Sequence, residues 1–358
     1  MNQDDRPASG HSTVREPERT GKWLMFLIGT LPLVFYATTE LLTYRLNNPV
    51  INGLTPTFET ESTYYDNATR FTLQAALIFY FWLVVGAVCL FLKEVLAGVG
   101  LQLFSMRKIQ GPRAEKRFGA WEEILFFLFL ISVTIGIALM FGSVAGENRN
   151  YKNLGSELFI SILNHCHEVH AQDADCTFGA YSAGNPPSGF NLYLDLITYL
   201  AAIGLAACSL GTARAVCISR VELMTWTRAQ VFRLPNLFLY VSSVLFTGAM
   251  LCVYTWSGWP AQFLEGDQQT AFRTLQNSIA LFWGTSFTLV ILSFYLPTVL
   301  YLNAKISGLE HAKSGELTED SMPRQIVKIL EKALAVLAPI ITALISAAAA
   351  KLLEGNGA

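Results

Sequence analysis

The chain has 358 residues, of which 52% are hydrophobic and 15% are charged, and its formal net charge is −2. A soluble globular domain carries about 25% charged residues, so this chain has too little polar surface to be surrounded by water alone. The near-neutral charge gives no basis for a nucleic-acid partner, which needs a clustered basic surface. The composition therefore indicates an integral membrane protein with the lipid bilayer as its partner.

The first segment of the chain, residues 1–22, is polar and mixes acidic with basic side chains. It has neither the apolar core nor the small-residue cleavage site of a secretory signal peptide. A segment of this composition buries too little apolar surface to fold by itself. We expect a disordered cytoplasmic tail, followed by a first apolar run that is retained as a signal anchor.

Six long apolar runs follow the tail. Crossing a hydrocarbon core of about 30 Å takes about 20 helical residues, and each run approaches or exceeds that length. Within lipid the backbone must satisfy its own hydrogen bonds, so such runs form helices. The sequence predicts an all-α, polytopic membrane domain over residues 23–303, built as three hairpins from spans at 23–42, 71–92, 121–141, 192–210, 237–256 and 279–302.

The basic residues are distributed unevenly among the connections. Twenty of the 25 Lys and Arg fall in the two tails and in the connections after the second and fourth spans. Cytoplasmic loops carry an excess of Lys and Arg, so this asymmetry predicts that both termini are cytoplasmic. The outside loops are then 43–70, 142–191 and 257–278, and the expected location is a bacterial inner (plasma) membrane.

Ionisable residues avoid the centres of the predicted spans. Glu40 and Asp195 fall near outer ends, and Glu122 and Glu123 near an inner end. Proton- and ion-coupled transporters usually carry a buried ionisable group at membrane depth. The distribution therefore argues against that class and indicates interfacial solvation of these carboxylates.

Two prolines fall in the middle of predicted spans. Pro32 lies in the first span and Pro297 in the sixth, and each removes one backbone hydrogen bond of its helix. Broken helices form binding sites in some transporters, but prolines are tolerated in spanning helices. We expect both prolines to kink their helices without forming a site.

The outside loop 142–191 holds the densest set of ligand-type side chains, including three of the five histidines of the chain: His165, His167 and His170. His167 and His170 share a face if the segment is helical, but a zinc site needs three or four fixed ligands. The spacing matches no recognised zinc framework. No cofactor is predicted, and zinc or a pH-responsive imidazole cluster are alternatives to an ordinary solvated loop.

The same loop contains the two cysteines that the topology places outside, Cys166 and Cys176. Disulfides persist in oxidising compartments, and closing so short a ring stabilises the folded state by roughly 2–3 kcal/mol. We predict a Cys166–Cys176 disulfide. This disulfide and a thiolate metal site on the same sulfurs exclude each other.

The C-terminal tail, residues 304–358, contains a predicted helix at 323–352. The stretch 333–350 lacks charge, yet its few strongly apolar residues supply only about −3 to −4 kcal/mol of insertion energy. We favour an amphipathic cytoplasmic or interfacial helix, and a seventh span or re-entrant segment is the alternative. Pro339 is expected to interrupt the helix. A heptad-like seam predicts homo-oligomer packing through Val327, Leu330, Leu334, Leu337, Ile341 and Leu344.

Catalytic motifs are missing from the sequence: it has no Gly-rich phosphate loop, no His-Glu-x-x-His and no Gly-x-Ser-x-Gly. Hydroxyl side chains line parts of the fifth and sixth spans. These features favour a membrane protein without catalytic activity that works as a homo-oligomer, as a pore (channel) or as an interaction subunit. The alternatives are a secondary transporter or facilitator for a small solute, and a membrane metalloenzyme that uses the outer histidines.

Overall fold

The computed structural model describes residues 16–45, 67–105, 115–144, 190–218, 223, 225–258, 261, 264, 266–310, 332–346 and 348. Regular structure in these ranges is helical, and no strand occurs within them. The all-helical architecture predicted from the sequence is confirmed for this part of the chain.

Seven of the helices in the described residues carry the fold: α1 (Glu16–Arg45), α2 (Asn67–Ser105), α3 (Glu115–Val144), α4 (Phe190–Ala213), α5 (Arg233–Gly258), α6 (Gly266–Glu310) and α7 (Lys332–Ser346). Each predicted span lies inside one of α1 to α6. Five of the helices, α1, α2, α4, α5 and α6, are long and apolar enough to cross a membrane. The structure therefore supports a membrane-embedded helical protein.

The helices are longer than the spans predicted inside them. α2 has 39 residues and α6 has 45. Each predicted span is shorter than its helix because hydropathy identifies only the section of a helix that suits lipid. Backbone hydrogen bonding continues into the polar flanks until a capping or helix-breaking residue ends it. A predicted span therefore marks the apolar part of a helix and not its ends.

α4 is the central helix of the bundle. It packs against α1, α2, α3, α5 and α6, and every residue from Gly204 to Ala213 is buried. The peripheral α2, by comparison, buries one stripe at helical spacing: Tyr80, Val84, Ala87, Phe91 and Val95. A helix that is apolar on all sides and surrounded by other helices is typical of a bundle centre.

Two glycines set the distance between α4 and α5. A Cβ on Gly204 would lie 2.4 Å from Leu245 Cδ1, and one on Gly211 would lie 2.4 Å from ring carbons of Phe238. Small residues let helix backbones approach closely in membranes, where packing replaces the hydrophobic effect as the main attraction. From Gly204 to Gly211 the residue numbers rise on α4, while those of their partners on α5 fall by the same amount, from Leu245 to Phe238. The two helices are therefore antiparallel.

Consecutive helices from α1 to α6 alternate in direction. α3 starts beside the start of α1 and beside the end of α4. Antiparallel contacts also join α1 to α4 through Gly29 and Leu210, and α2 to α5 through Ala76 and Cys252. Two residue pairs join α5 to α6, Tyr254 with Gln276 and Asn236 with Tyr295. α1, α3 and α5 therefore run one way, and α2, α4 and α6 run the other.

The close α4–α5 contact generates a stability prediction. Gly211→Ala should lower the free energy of unfolding by about 1–3 kcal/mol, the usual cost of overpacking, because the new methyl group meets the buried Phe238 ring. The matched control is Gly136→Ala on α3, whose added Cβ meets nothing within 4 Å. Thermal and denaturant unfolding in one detergent compares the two variants. A Gly211→Ala protein as stable as the native chain would contradict the close contact.

Candidate functional site

The predicted loop sites lie outside the described residues. These are the metal ligands His165, His167 and His170 and the disulfide Cys166–Cys176, and both stay predictions. Among the described residues, no group of three or more His, Cys, Asp or Glu is arranged to hold a metal ion. The cysteines described there are free thiols: Cys89, Cys208, Cys217 and Cys252.

The most informative site in the described structure is the surface of α5 and α6 that receives α7, which we call the α7 groove. On α5, the Ser243 hydroxyl donates to the Ala335 carbonyl, and the Tyr254 hydroxyl donates to the Ser346 carbonyl at 3.2 Å. The donors on α5 and the acceptors on α7 advance by the same number of residues. α7 therefore runs parallel to α5, beside it along the span.

The α6 wall of the α7 groove is built from small residues. A Cβ on Gly284 would lie 2.9 Å from the Pro339 carbonyl oxygen and 3.0 Å from Ala343 Cβ. Ala343 is buried in a small apolar cluster with Ala280 of α6 and Met250 of α5. Ala343 follows Pro339 on α7, whereas Ala280 precedes Gly284 on α6, so these two helices are antiparallel.

Pro339 does not interrupt α7, contrary to the expectation from the sequence: the segment Lys332–Ser346 is helical through it. Proline at this position has no N–H for the Ala335 carbonyl. The Ser243 hydroxyl fills that vacancy while also lying 2.8 Å from the Leu239 carbonyl, so it shares its proton between two acceptors. A side chain from α5 thus satisfies the acceptor that proline leaves open in α7.

Pro32 and Pro297 also lie inside continuous helices, in α1 and α6 respectively. Pro32 is buried and Pro297 is half-buried. The kinks expected at both positions stay predictions, since placement inside a helix does not measure a bend.

The predicted oligomer seam is described only in part. Val327 and Leu330 lie outside the described residues. Leu334, Leu337 and Leu344 are 51%, 41% and 54% exposed, whereas Ile341 is half-buried. The inward face of α7 is formed by Val336, Pro339 and Ala343. The seam leucines therefore point away from their own bundle.

Several hydroxyl side chains of α5 and α6 donate to backbone carbonyls of their own helices. Ser242 donates to the Leu239 carbonyl at 2.8 Å, and Thr288 donates to the Gly284 carbonyl at 2.9 Å. Thr285 and Ser286 bond backwards in the same way. Such bonds satisfy the hydroxyl donor within its own helix, so that it presents no unpaired donor to apolar surroundings. These side chains therefore need no water-filled pathway to satisfy them.

Charged side chains meet at one end of the bundle and form what we call the charged rim. Its ion pairs are Lys22–Glu122 at 3.3 Å, Arg214–Glu123 at 3.6 Å and Arg233–Glu94 at 3.9 Å. Exposed pairs contribute about 0–1 kcal/mol, which is the class of Lys22–Glu122. The Arg214 and Glu123 side chains are 19% and 21% exposed, so this is the one pair of the three in which both side chains are largely enclosed.

Sequence reasoning noted Glu122 and Glu123 near an inner end but did not pair them. The charged rim joins the start of α1 to α3, the end of α4 to α3, and the start of α5 to α2. Lys305 of α6 adds a hydrogen bond of 2.6 Å to the Ile218 carbonyl. Basic residues that the sequence placed in separate segments on one side of the membrane thus lie at one end of the bundle.

Comparison of the chain with protein-family models, with curated proteins and with solved structures finds no match in any of the three.

The α7 groove generates a second prediction. Gly284→Val should displace α7, because its side chain would occupy the space of the Pro339 carbonyl and Ala343. Hydrogen–deuterium exchange should then rise in peptides covering residues 332–346, where backbone amides lose their packing. Gly86→Val on α2 is the control, since its added Cβ meets nothing within 4 Å. Unchanged exchange in α7 of the Gly284→Val protein would contradict the groove.

Proposed function

We propose that the chain is a subunit of a homo-oligomeric membrane assembly whose copies meet through α7. In this proposal α1 to α6 cross the bilayer as six spans, and the N-terminus lies in the cytoplasm of a bacterial cell. The observation that supports it best is the outward face of α7, where Leu334, Leu337 and Leu344 are exposed at the spacing used for helix packing. α7 is apolar but shorter than the helices that qualify as spans. A neighbouring copy packed on its outward face would therefore stabilise its position in lipid.

The packing of the interior favours a pathway between copies over one through a single copy. α4 fills the centre of the bundle, and its residues from Gly204 to Ala213 are buried. Four hydroxyls on α5 and α6 donate to carbonyls of their own helices. A pore, if the assembly conducts, is therefore formed between subunits. Conductance of the purified protein in planar bilayers separates a pore from an interaction subunit.

The direction of α7 supports the alternative in which the C-terminal segment enters the membrane. α7 starts with Lys332, near Phe232 at the start of α5, and ends with Ser346, beside Tyr254 near the end of α5. It therefore continues the alternation of α1 to α6. We propose that the chain emerges after α7 on the outside, in place of the cytoplasmic C-terminus expected from the basic residues.

This topology predicts the side of a C-terminal reporter. Alkaline phosphatase fused after Ala358 should be active, and green fluorescent protein fused there should stay dark, because the former matures outside the inner membrane and the latter inside. The same two reporters fused before Met1 give the opposite, N-in control. Fluorescence from the C-terminal fusion without phosphatase activity would return the C-terminus to the cytoplasm.

The oligomer predicts a change in stoichiometry when the α7 face is truncated. Leu337→Ala combined with Leu344→Ala should shift the assembly towards monomer in mild detergent, since large-to-small changes in a packed contact cost about 2–5 kcal/mol each. Native mass spectrometry measures the subunit number. Both changes lie on the side of α7 away from α5 and α6, so the fold of each copy should persist.

The matched control is Leu125→Ala combined with Leu128→Ala on α3. These leucines are 61% and 52% exposed, so they resemble the α7 pair in size and exposure but lie on another helix. Equal loss of oligomer in both double variants would indicate a general detergent effect. Full retention of the oligomer in the α7 variant would remove α7 as the contact between copies.

A further inference from the structure

Two sulfur atoms from distant parts of the chain meet at the end of the bundle that carries the charged rim. The Cys217 thiol, at the end of the 3₁₀ turn Arg214–Cys217, donates to Met25 Sδ of α1 at 3.7 Å. Met25 is only 2% exposed, whereas Cys217 is exposed. The pair therefore combines a thioether held in the core with a thiol that an ion from the surroundings can reach.

The backbones of α1 and of the 3₁₀ turn hold the two sulfurs in place. A Cβ on Gly21 of α1 would lie 3.8 Å from Cys217 Cα, so the two backbones approach each other closely. Met25 follows Gly21 by four residues, which places both on the same face of α1. Arg214, at the start of the turn, is paired with Glu123 of α3 at 3.6 Å. Packed elements therefore position the sulfur pair from both sides.

The types of ligand and their spacing fit a soft metal ion. Thiolate and thioether together select copper(I), whereas zinc is bound by thiolate, imidazole and carboxylate and does not use methionine. With two metal–sulfur bonds of about 2.3 Å, an ion between sulfurs 3.7 Å apart has a sulfur–metal–sulfur angle of about 107°, close to the tetrahedral value. The two side chains therefore need little movement to hold an ion between them.

The charges around the thiol favour a monovalent ion over a divalent one. Three cations and one carboxylate act electrostatically on the Cys217 sulfur: Lys22, Arg214, Lys305 and Glu123. A monovalent ion bound to a thiolate forms a neutral unit, as the thiol itself is. A divalent ion on the same thiolate would add a positive charge beside these cations, which Coulomb repulsion opposes.

We propose that Cys217 and Met25 bind a monovalent soft metal ion, copper(I), between their sulfurs. The ion replaces the thiol proton, because a cysteine ligand must be deprotonated. The S–H bond of Cys217 breaks, the proton goes to solvent, and the thiolate and the thioether each donate an electron pair to the ion without any change of oxidation state. The inference goes beyond the proposed assembly and is independent of α7 and of the loop histidines.

The experiment titrates full-length purified protein with Ag⁺, which matches copper(I) in charge and softness and is stable in air. Iodoacetamide labelling and peptide mass spectrometry measure the Ag⁺ concentration that half-protects Cys217, separately from every other cysteine. Losing even a group that only orients a metal ligand weakens binding by about 10–100-fold. Met25→Leu should therefore raise the half-protecting concentration at least about tenfold, and Zn²⁺ at the same concentrations should leave Cys217 unprotected in the native chain.

The matched control is Met250→Leu, at another buried methionine, which is 1% exposed and should leave protection of Cys217 unchanged. Leucine keeps the volume of methionine without its sulfur, and circular dichroism shows whether the helices of each variant are intact. Protection of Cys217 that survives Met25→Leu, or that falls equally in Met250→Leu, overturns the proposal. So does protection of Cys217 by Zn²⁺ as effective as that by Ag⁺.

The native chain carries the test if Met25→Leu fails to fold. N-acetylcysteine offers Ag⁺ a single sulfur, whereas the proposed site offers two. In an equimolar mixture Cys217 should therefore hold about tenfold more Ag⁺ than the competitor does, the smallest effect expected for a second ligand. Equal partition of Ag⁺ between Cys217 and N-acetylcysteine would show a thiol that acts alone, and would overturn the proposal.

Discussion

The close approach of α4 to its neighbours is the interaction on which the rest of the bundle depends. Lipid tails are as apolar as leucine, so helices in a bilayer associate through van der Waals packing at small residues. Gly204 and Gly211 leave room for Leu245 and Phe238 of α5. These two contacts set both the distance and the register between α4 and α5. α1, α2 and α3 then pack around α4, and α6 packs on α5 and carries one wall of the α7 groove.

Hydropathy identified where the helices lie, because the cost of unpaired backbone groups in lipid leaves a long apolar run few alternatives. It did not identify which helix is central. α2 and α4 are both apolar, yet α2 exposes Phe79 and Trp82 while α4 buries Ala206 and Ala207. The distinguishing signal is the content of small residues, since the fully buried stretch 204–213 of α4 consists mainly of Gly, Ala, Ser and Cys. A hydropathy scale does not contain that information.

The charged rim marks a second limit of sequence reasoning. Counting Lys and Arg by connection predicted one shared end for these side chains, and Lys22, Arg214 and Arg233 do lie at one end of the bundle. The count does not say which carboxylate each cation meets. Pairing Arg214 with Glu123 requires the antiparallel contact of α3 with α4, and that contact depends on helix packing that no local pattern records.

The expectation that Pro339 interrupts α7 is wrong, and the reason is physical. The insertion energy of α7 was marginal and Pro339 was expected to break the helix, because both arguments treated the segment as isolated in lipid. In the bundle, Ser243 provides the donor that Pro339 lacks, and Gly284 leaves room for the backbone of α7.

The distribution of side-chain size on α7 points to the same environment. α7 turns Pro339 and Ala343 inward and Leu337 and Leu344 outward. A helix packed on a soluble protein would bury its leucines, because water drives large apolar groups inward. Small residues on the inner face and leucines on the outer face favour lipid or another apolar surface as the environment of the outer face, and therefore favour α7 as an element at membrane depth.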